Sequence, residues 1–207
     1  MPADLVGAHY PEQNVFDSIL GQQRNAIQVN IPVYSNRAIL GGDWTDAAAS
    51  LVSGKLTLVP IPVDIGATIT KISVFVGATT ASTPTHSWAA LYSGVLTTAK
   101  ILGTQSTDGG TTALAASARL DFTIAAYTIA PADAPYGYIF VGVSETASTV
   151  TSLRSAAFAT AVTYADYADT PAFFGGTYSS ALGAAAPATV TLSSVTAIAT
   201  PPIVDLW

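Results

Sequence analysis

The chain has 207 residues, of which 50% are hydrophobic and only 10% are charged, and this composition excludes a disordered protein because disorder requires low hydrophobicity and high charge. The formal net charge is −6 and the 7 Lys and Arg residues are scattered singly, so neither nucleic acid nor an anionic membrane is an expected partner. The chain has no cysteine, which excludes disulfides, thiolate metal sites and cysteine nucleophiles.

Targeting features are absent from the sequence pattern. The start, MPADLVGAHYPEQ, has neither a basic region nor an apolar core, so we expect no signal peptide. The most apolar stretch, YGYIFVGV (136–143), is far shorter than the roughly 18 residues of a membrane span. If the protein acts outside a cell, we expect it to arrive there by a route other than a cleaved signal.

Residues 1–50 are predicted to form an extended N-terminal arm that contains one short helix. In PEQNVFDSILG, the proline suits the first helical position, the glutamate favours the helix N-terminus, and the last glycine ends the helix. Because so short a helix is marginal alone, its apolar face must rest on its own domain, on a sister subunit or on another protein. The predicted assembly contacts of the arm are Tyr10, Val15, Phe16, Ile19, Leu20, Tyr34 and Trp44.

Residues 51–207 are predicted to form one β-sandwich domain, because short strands alternate with turn signals and no long amphipathic helix pattern occurs. LTLVPIPV (56–63) is predicted to be an edge or bulged strand because Pro60 and Pro62 cannot donate to a ladder. ARLDFTIA (118–125) alternates strictly between apolar and polar residues, which is typical of a half-buried strand.

Further strands and extended segments are predicted elsewhere in the chain. YIFVGVS (138–144) is a continuous apolar run, which indicates a strand that is central in a sheet or covered on both faces. The stretch VNIPVYSNRAIL (29–40) in the arm is predicted to be extended. The remaining predicted strands are TITKISVFVGA (68–78), SWAALYS (87–93), ATVTLSSV (188–195) and the extended segment PPIVDLW (201–207).

The stretch THSWAALYSG (85–94) places a histidine beside a serine, which raises the question of a nucleophile and its base. Adjacent side chains on a strand project to opposite faces, so His86 and Ser87 cannot hydrogen bond to each other as such a pair. The chain has no GxSxG elbow either. We therefore predict a core strand in which Trp88 is a packing anchor.

No metal, cofactor or catalytic centre is expected. The two histidines are His9 and His86, far apart in the sequence. Asp166 and Asp169 form the nearest carboxylate cluster, but their spacing lacks the calcium-loop pattern. No phosphate loop or dinucleotide fingerprint occurs, and no acid pair stands out for polysaccharide hydrolysis. We predict a protein that is not an enzyme.

The densest group of aromatic residues lies in YADYADTPAFFGGTY, residues 164–178. One interpretation is a platform that stacks on a host glycan or contacts a partner, since aromatic side chains serve both roles. The other, which we favour, is a long loop whose aromatic side chains pack back onto the sandwich. The candidate contacts are Tyr164, Tyr167, Phe173, Phe174 and Tyr178.

Two blocks carry a family resemblance, GKLTLVPIPVDIGATITKISVFVGATTASTPTHSWAALYSG (54–94) and YTIAPADAPYGYIFVGVSETASTVTSL (127–153). They resemble a β-sandwich module in virion proteins of tailed bacteriophages, especially those that infect actinobacteria. The matching motifs lie at 54–60, Gly66, 69–75, 83–92 and 127–143. The resemblance implies an antiparallel, jelly-roll-like β-sandwich with a structural or attachment role on the virion, and it supplies no catalytic residues.

The resemblance and the arm together lead to the hypothesis of a capsid decoration or head-surface protein. Its arm would anchor it to the major capsid protein or to sister subunits, and the resemblance favours a homotrimer. Host lysis would release the virion, which removes the need for a signal peptide. The alternative is a minor tail protein, which would contact other tail proteins and recognise host cell-wall glycans through the aromatic residues of 164–178.

Overall fold

The computed structural model describes residues 34–36, 47–103, 105–112, 115–156, 173–178 and 180–207, with residues 47–50 described by their backbone alone. This part of the chain is built from β-strands and one 3₁₀ turn at Leu192–Ser194, and it contains no α-helix. The all-β prediction is therefore confirmed. The predicted helix and most predicted arm contacts lie outside the described residues; these contacts are Tyr10, Val15, Phe16, Ile19, Leu20 and Trp44.

The described strands are numbered in chain order. They are β1 (Tyr34–Ser35), β2 (Ala47–Ser50), β3 (Lys55–Pro62), β4 (Thr68–Phe75), β5 (His86–Tyr92), β6 (Thr98–Lys100), β7 (Arg119–Thr128), β8 (Tyr138–Thr146), β9 (Ser152–Ser155), β10 (Gly176–Tyr178), β11 (Thr189–Thr191), β12 (Val195–Ala197) and β13 (Val204–Leu206). Two of them, β1 and β2, precede residue 51, so the sandwich includes strands from the segment predicted to be the arm.

The strands pair antiparallel in two main sheets, with two short ribbons beside them. The outer sheet has the order β1-β13-β4-β7, and the inner sheet has the order β12-β10-β3-β8-β5. A bridge between Tyr92 and Ile101 continues the inner sheet from β5 towards β6. The chain passes from one sheet to the other between β3 and β4, β4 and β5, and β7 and β8, which is the crossing pattern of a jelly roll.

The main core lies between the two sheets. The inner sheet contributes odd-numbered residues of β3, β5 and β8, while the outer sheet contributes β4, β7 and β13. The alternation predicted for β7 is confirmed, since Phe122 and Ile124 are buried while Arg119 is exposed. The members of this core with 0% exposure are Val59, Ile61, Ile69, Ile72, Ala89, Leu91, Ile139, Val141, Leu153, Val204 and Leu206.

A second core covers the opposite face of the inner sheet. Trp88, Tyr92 and Phe140 lie on that face and are fully buried beneath residues of the 173–197 segment, including Val190. The inner sheet is therefore covered on both faces, which is why β8 is a continuous apolar run, as predicted. Trp88 is a packing anchor, also as predicted, because it is 0% exposed.

The prediction that β3 is an edge strand is wrong, although the two prolines on which it was based do lie where β3 has a partner on one side. β3 lies between β8 and β10, so it is an interior strand of the described sheet. However, β10 pairs with residues 56–58 alone, and Pro60 and Pro62 lie beyond its end. Each proline there is paired with β8 on one side, so the strand tolerates a missing donor on its other side.

The C-terminal part differs most from the predicted strands. The predicted strand 188–195 is divided into β11, a 3₁₀ turn and β12, because the chain changes its partner from β6 to β10 within that run. Leu192 in the turn is buried in the second core. The extended segment 201–207 supplies β13, which lies between β1 and β4 in the interior of the outer sheet.

Candidate functional site

His86 pairs with Asp108, not with its neighbour Ser87. Its Nδ1 lies 2.7 Å from Oδ2 of Asp108, while Oδ1 accepts the N–H groups of Ser87 at 2.8 Å and Gly110 at 3.0 Å. Partial burial would raise the pKa of Asp108, but these hydrogen bonds outweigh it and lower that pKa. The carboxylate thus holds the segment after residue 105 along the edge of β5, which is a structural role.

The aromatic group of residues 164–178 is placed only in part. Phe173 is 2% exposed and packs on Phe140 with ring centroids 5.4 Å apart, so it is a core residue and cannot stack on a sugar in this structure. Tyr178 is half-buried against the second core. Phe174, which follows Phe173 in the chain, is also half-buried. The other two candidate contacts, Tyr164 and Tyr167, lie outside the described residues.

The outer face of the outer sheet carries a network of polar side chains. Asp121 accepts hydrogen bonds from Ser73 at 2.7 Å and from Arg119 at 3.2 Å, and it lies 3.3 Å from the Lys71 ammonium. The Trp207 indole donates to Ser73 at 2.8 Å, and the Arg119 guanidinium lies 5.1 Å from the centre of that ring. Both oxygens of Asp121 are engaged by donors, so this carboxylate is held in structural contacts and is not poised for proton transfer.

Small-ligand and metal sites find little support in the part of the chain that the structure describes. A depression of about 160 Å³ is lined by residues that include Gly77, Thr79 and Ser152. Sites for small molecules usually enclose roughly 300–1,000 Å³. Among the described residues, no three His, Asp or Glu side chains are grouped to hold a metal ion. The same residues contain no helix of the length and hydropathy that a membrane span needs.

Three loops meet at one end of the sandwich, which we call the three-loop end. They are the β3–β4 loop (63–67), the β5–β6 loop (93–97) and the β7–β8 loop (129–137). Strand register places them together, because Pro62 pairs with Tyr138 at the start of β8 and the end of β5 lies beside the same residues. Backbone hydrogen bonds then join the β7–β8 loop to each of the other two loops.

These loops are tied tightly to one another. The N–H of Val63 donates to Gly137 at 3.0 Å, and the N–H of Gly94 donates to Asp133 at 2.8 Å. The Tyr127 hydroxyl donates to the Asp133 carboxylate at 2.7 Å, and burial, followed by this interaction, raises the pKa of Tyr127 to about 12. A side chain at Gly94 would meet the carbonyl of Tyr138 at 1.9 Å, so this contact requires glycine.

The three-loop end carries exposed apolar side chains. Of the four large hydrophobic residues that are exposed in the described part of the chain, three lie here: Ile65 at 57%, Leu96 at 41% and Tyr136 at 38%. The fourth, Val52, precedes β3 at the opposite end and is 48% exposed. Exposed apolar groups that gather on one surface indicate an interaction site.

The chain enters the sandwich at this same end. Tyr34, the first described residue, pairs with Leu206 and donates its hydroxyl to the Asp64 carboxylate at 3.0 Å. This places one of the predicted arm contacts beside the β3–β4 loop. Asn36 follows inside the sandwich, where it is 1% exposed and its amide donates to the carbonyl of Pro202 at 2.8 Å.

Sequence reasoning did not select the residues of the three-loop end. Each of Ile65, Leu96 and Tyr136 is a large apolar residue between two predicted strands, next to or near a glycine. Turns usually carry small or polar residues, so this departure was a usable signal. The signal needs the fold to become specific, because only the strand register shows that the three turns lie at one end.

In the comparisons with known proteins, no family model and no curated protein matches this chain. The resemblance to phage virion proteins therefore rests on the motifs of 54–94 and 127–153.

Proposed function

We propose that this chain is a structural protein of a tailed-bacteriophage virion, a capsid decoration or head-surface protein anchored by its N-terminal arm. The observation that carries the proposal is the three-loop end, where exposed apolar side chains gather at the point where the chain enters the sandwich. A protein anchored to a shell needs such a polarised surface. The motif resemblance supplies the virion context.

The glycan-binding alternative has weaker support. One of its five candidate contacts, Phe173, is a core residue, and Tyr178 is half-buried against the same core. The depression at Gly77, Thr79 and Ser152, at about 160 Å³, is smaller than a usual ligand site. We therefore propose a location on the head and keep the tail-associated, glycan-recognising role as the alternative that would replace it.

The proposal includes self-association. We infer a homo-oligomer, with the trimer number taken from the family resemblance, in which apolar arm residues are buried between subunits or against the shell. Light scattering on the purified full-length chain tests this, and a monodisperse monomer at micromolar concentration would contradict self-association before assembly.

Arm deletion tests the anchoring. The deletion should remove residues 1–32 and keep 33–36, because Tyr34 and Asn36 are hydrogen bonded within the sandwich. We expect the shortened chain to fold, as shown by a cooperative melting transition, yet to be missing from virions. Normal incorporation of the shortened chain would contradict anchoring by the arm.

Imaging of virions with a label on this protein tests the location. Label on the heads supports the proposal. Label on the tails, together with binding of the purified protein to host cell wall, would favour the glycan-recognising alternative.

A further inference from the structure

We propose that the three-loop end binds an apolar surface of a different protein, one that carries Lys or Arg side chains around the contact. This inference rests on the proposed function, in which that protein is the capsid shell. It adds the surface through which the sandwich itself, apart from the arm, engages the shell.

The three-loop end exposes further apolar residues besides Ile65, Leu96 and Tyr136. Pro131 and Pro135 in the β7–β8 loop are also exposed. Tyr136 between them and β8 stacks on Tyr138 with ring centroids 6.4 Å apart and an interplanar angle of 25°. This contact fixes the direction of an exposed aromatic ring. Aromatic side chains held in this way are common anchors of protein interfaces.

The surface is preorganised for binding. The β7–β8 loop is hydrogen bonded to both neighbouring loops, and Gly66 donates to the carbonyl of Ile129 at 2.8 Å. Asp133 caps the turn by accepting the N–H of Ala130 at 2.9 Å as well as the Tyr127 hydroxyl. A surface that is already ordered loses little conformational entropy when a partner binds, so even a small apolar contact can contribute usefully to affinity.

Charge selects the kind of partner. The three loops contain two carboxylates, Asp64 and Asp133, and no Lys or Arg. A second copy that docked by the same end would bring these carboxylates towards their own counterparts, which is unfavourable. An anionic lipid surface would meet the same repulsion. A protein surface with an apolar centre and cationic residues at its rim is complementary to this end.

The experiment measures binding of the full-length chain to purified capsid shells that were assembled without it. Three variants introduce a positive charge at the three-loop end, which disrupts the apolar contact and repels a cationic rim: Ile65→Lys, Leu96→Lys and Tyr136→Lys. The matched control is Val52→Lys, because Val52 has a similar exposure at the opposite end. Since these side chains are exposed, we expect every variant to fold, and melting temperature checks this. If Tyr136→Lys is unstable through its loss of the Tyr138 contact, Ile65→Lys, at 57% exposure, carries the test.

We expect each three-loop variant to weaken binding about tenfold or more, since central interface residues have effects of this size. The control should stay within about twofold, and binding of the original chain should weaken as salt rises. If the original chain binds shells and the three-loop variants bind equally well, the inference is wrong and the proposed function stands. If the original chain does not bind shells at all, the proposed function fails and the inference fails with it.

Light scattering tests whether a second copy of this chain, rather than the shell, occupies the three-loop end. If the original chain is an oligomer that the three-loop variants convert to monomers, a second copy occupies this surface and the inference is overturned. If the oligomeric state is the same in all variants while shell binding differs, the shell is the occupant, as proposed.

Discussion

The two sheets of this sandwich use similar strands but are stabilised in different ways. The inner sheet is covered by apolar side chains on both faces, with Trp88 and Phe140 on one face and Leu91 and Val141 on the other. The outer sheet buries only one face in this way, and its other face carries the polar network around Asp121. The inner sheet therefore contributes most of the stability. Substitutions on the outer face of the outer sheet should reduce the free energy of unfolding by less.

The inner sheet also supports the three-loop end. Its strands β3, β5 and β8 end or begin at that point, so the loops are attached to the sheet that is buried on both faces. A binding surface on a rigid sheet needs no ordering of its own strands when a partner arrives. The separation of roles is consistent with a subunit that must present one end to an assembly while its body stays unchanged.

The largest effect is expected from Trp88→Ala. Trp88 is 0% exposed, and its indole donates to the carbonyl of Gly183 at 2.8 Å, so the change removes both core packing and this hydrogen bond. We expect a loss of about 3–5 kcal/mol in the free energy of unfolding. Urea unfolding measures it, and an unchanged midpoint would contradict the assignment of the inner sheet as the main source of stability.

Trp207→Ala, on the outer sheet, should cost less. The ring is only half-buried, and its contacts are one hydrogen bond to Ser73 and the nearby cations of Arg119 and Lys71. We expect a loss of about 1–2 kcal/mol, from the hydrogen bond, the cation–π contact and partial burial. Trp207→Phe, which keeps a ring but no donor, should recover part of this. A loss as large as that of Trp88→Ala would remove the distinction between the sheets.

The outer network should also respond to acid. Partial burial would raise the pKa of Asp121, but the hydrogen bonds from Ser73 and Lys71 and the charges of Arg119 and Lys71 outweigh it and lower that pKa. A pKa below the unfolded value of about 3.9 means that the carboxylate stabilises the fold above that pH. This stability is lost as the pH falls through the lower folded pKa.

Asp121→Asn tests this, because asparagine resembles the protonated acid. We expect the variant to be about 1 kcal/mol less stable than the original chain near neutral pH, a modest value because the site is partly exposed. The difference should shrink towards zero in strong acid, where both side chains are neutral. Thermal unfolding across a pH series measures it, and a difference that is constant with pH would contradict the charge-based account.

The sequence predicted those strands whose pattern of apolar residues depends only on which of their own faces are buried. The alternation of β7 and the continuous apolar run of β8 follow from which faces of each strand are buried, and both predictions are confirmed. The interior position of β3 could not be predicted, because Pro60 and Pro62 indicate an edge unless the short reach of β10 is known. The division of 188–195 likewise depends on a change of partner strand, which is a long-range fact.

The candidate site was harder to predict for the same reason. Tyr34 was selected from the arm, but the position of its hydroxyl on Asp64 follows from the register of β1 with β13. Phe173 is buried, in keeping with the interpretation that these aromatic side chains pack onto the sandwich, but local aromatic density does not reveal that the inner sheet has a second apolar face to be covered. Surface position depends on contacts between distant segments, and these are not visible in a local pattern.

The smallest expected effect is a gain in stability. Ser144 lies in β8 on the face that forms the second core, in register with Leu56 and Trp88, and it is 1% exposed. Within the described part of the chain, its Oγ is the one buried side-chain polar atom without a hydrogen-bond partner. A buried hydroxyl without a partner is unfavourable, so Ser144→Ala should raise the free energy of unfolding by about 0.5–1 kcal/mol.

The matched change in the outer sheet is Ser73→Ala. Ser73 is also fully buried, but its hydroxyl donates to Asp121 and accepts from the Trp207 indole, so its removal leaves both partners short of a bond. We expect a loss of about 1–2 kcal/mol there, opposite in sign to the change at Ser144. Parallel urea titrations of the two variants measure both values. Equal losses at the two positions would show that the Ser144 hydroxyl has a partner.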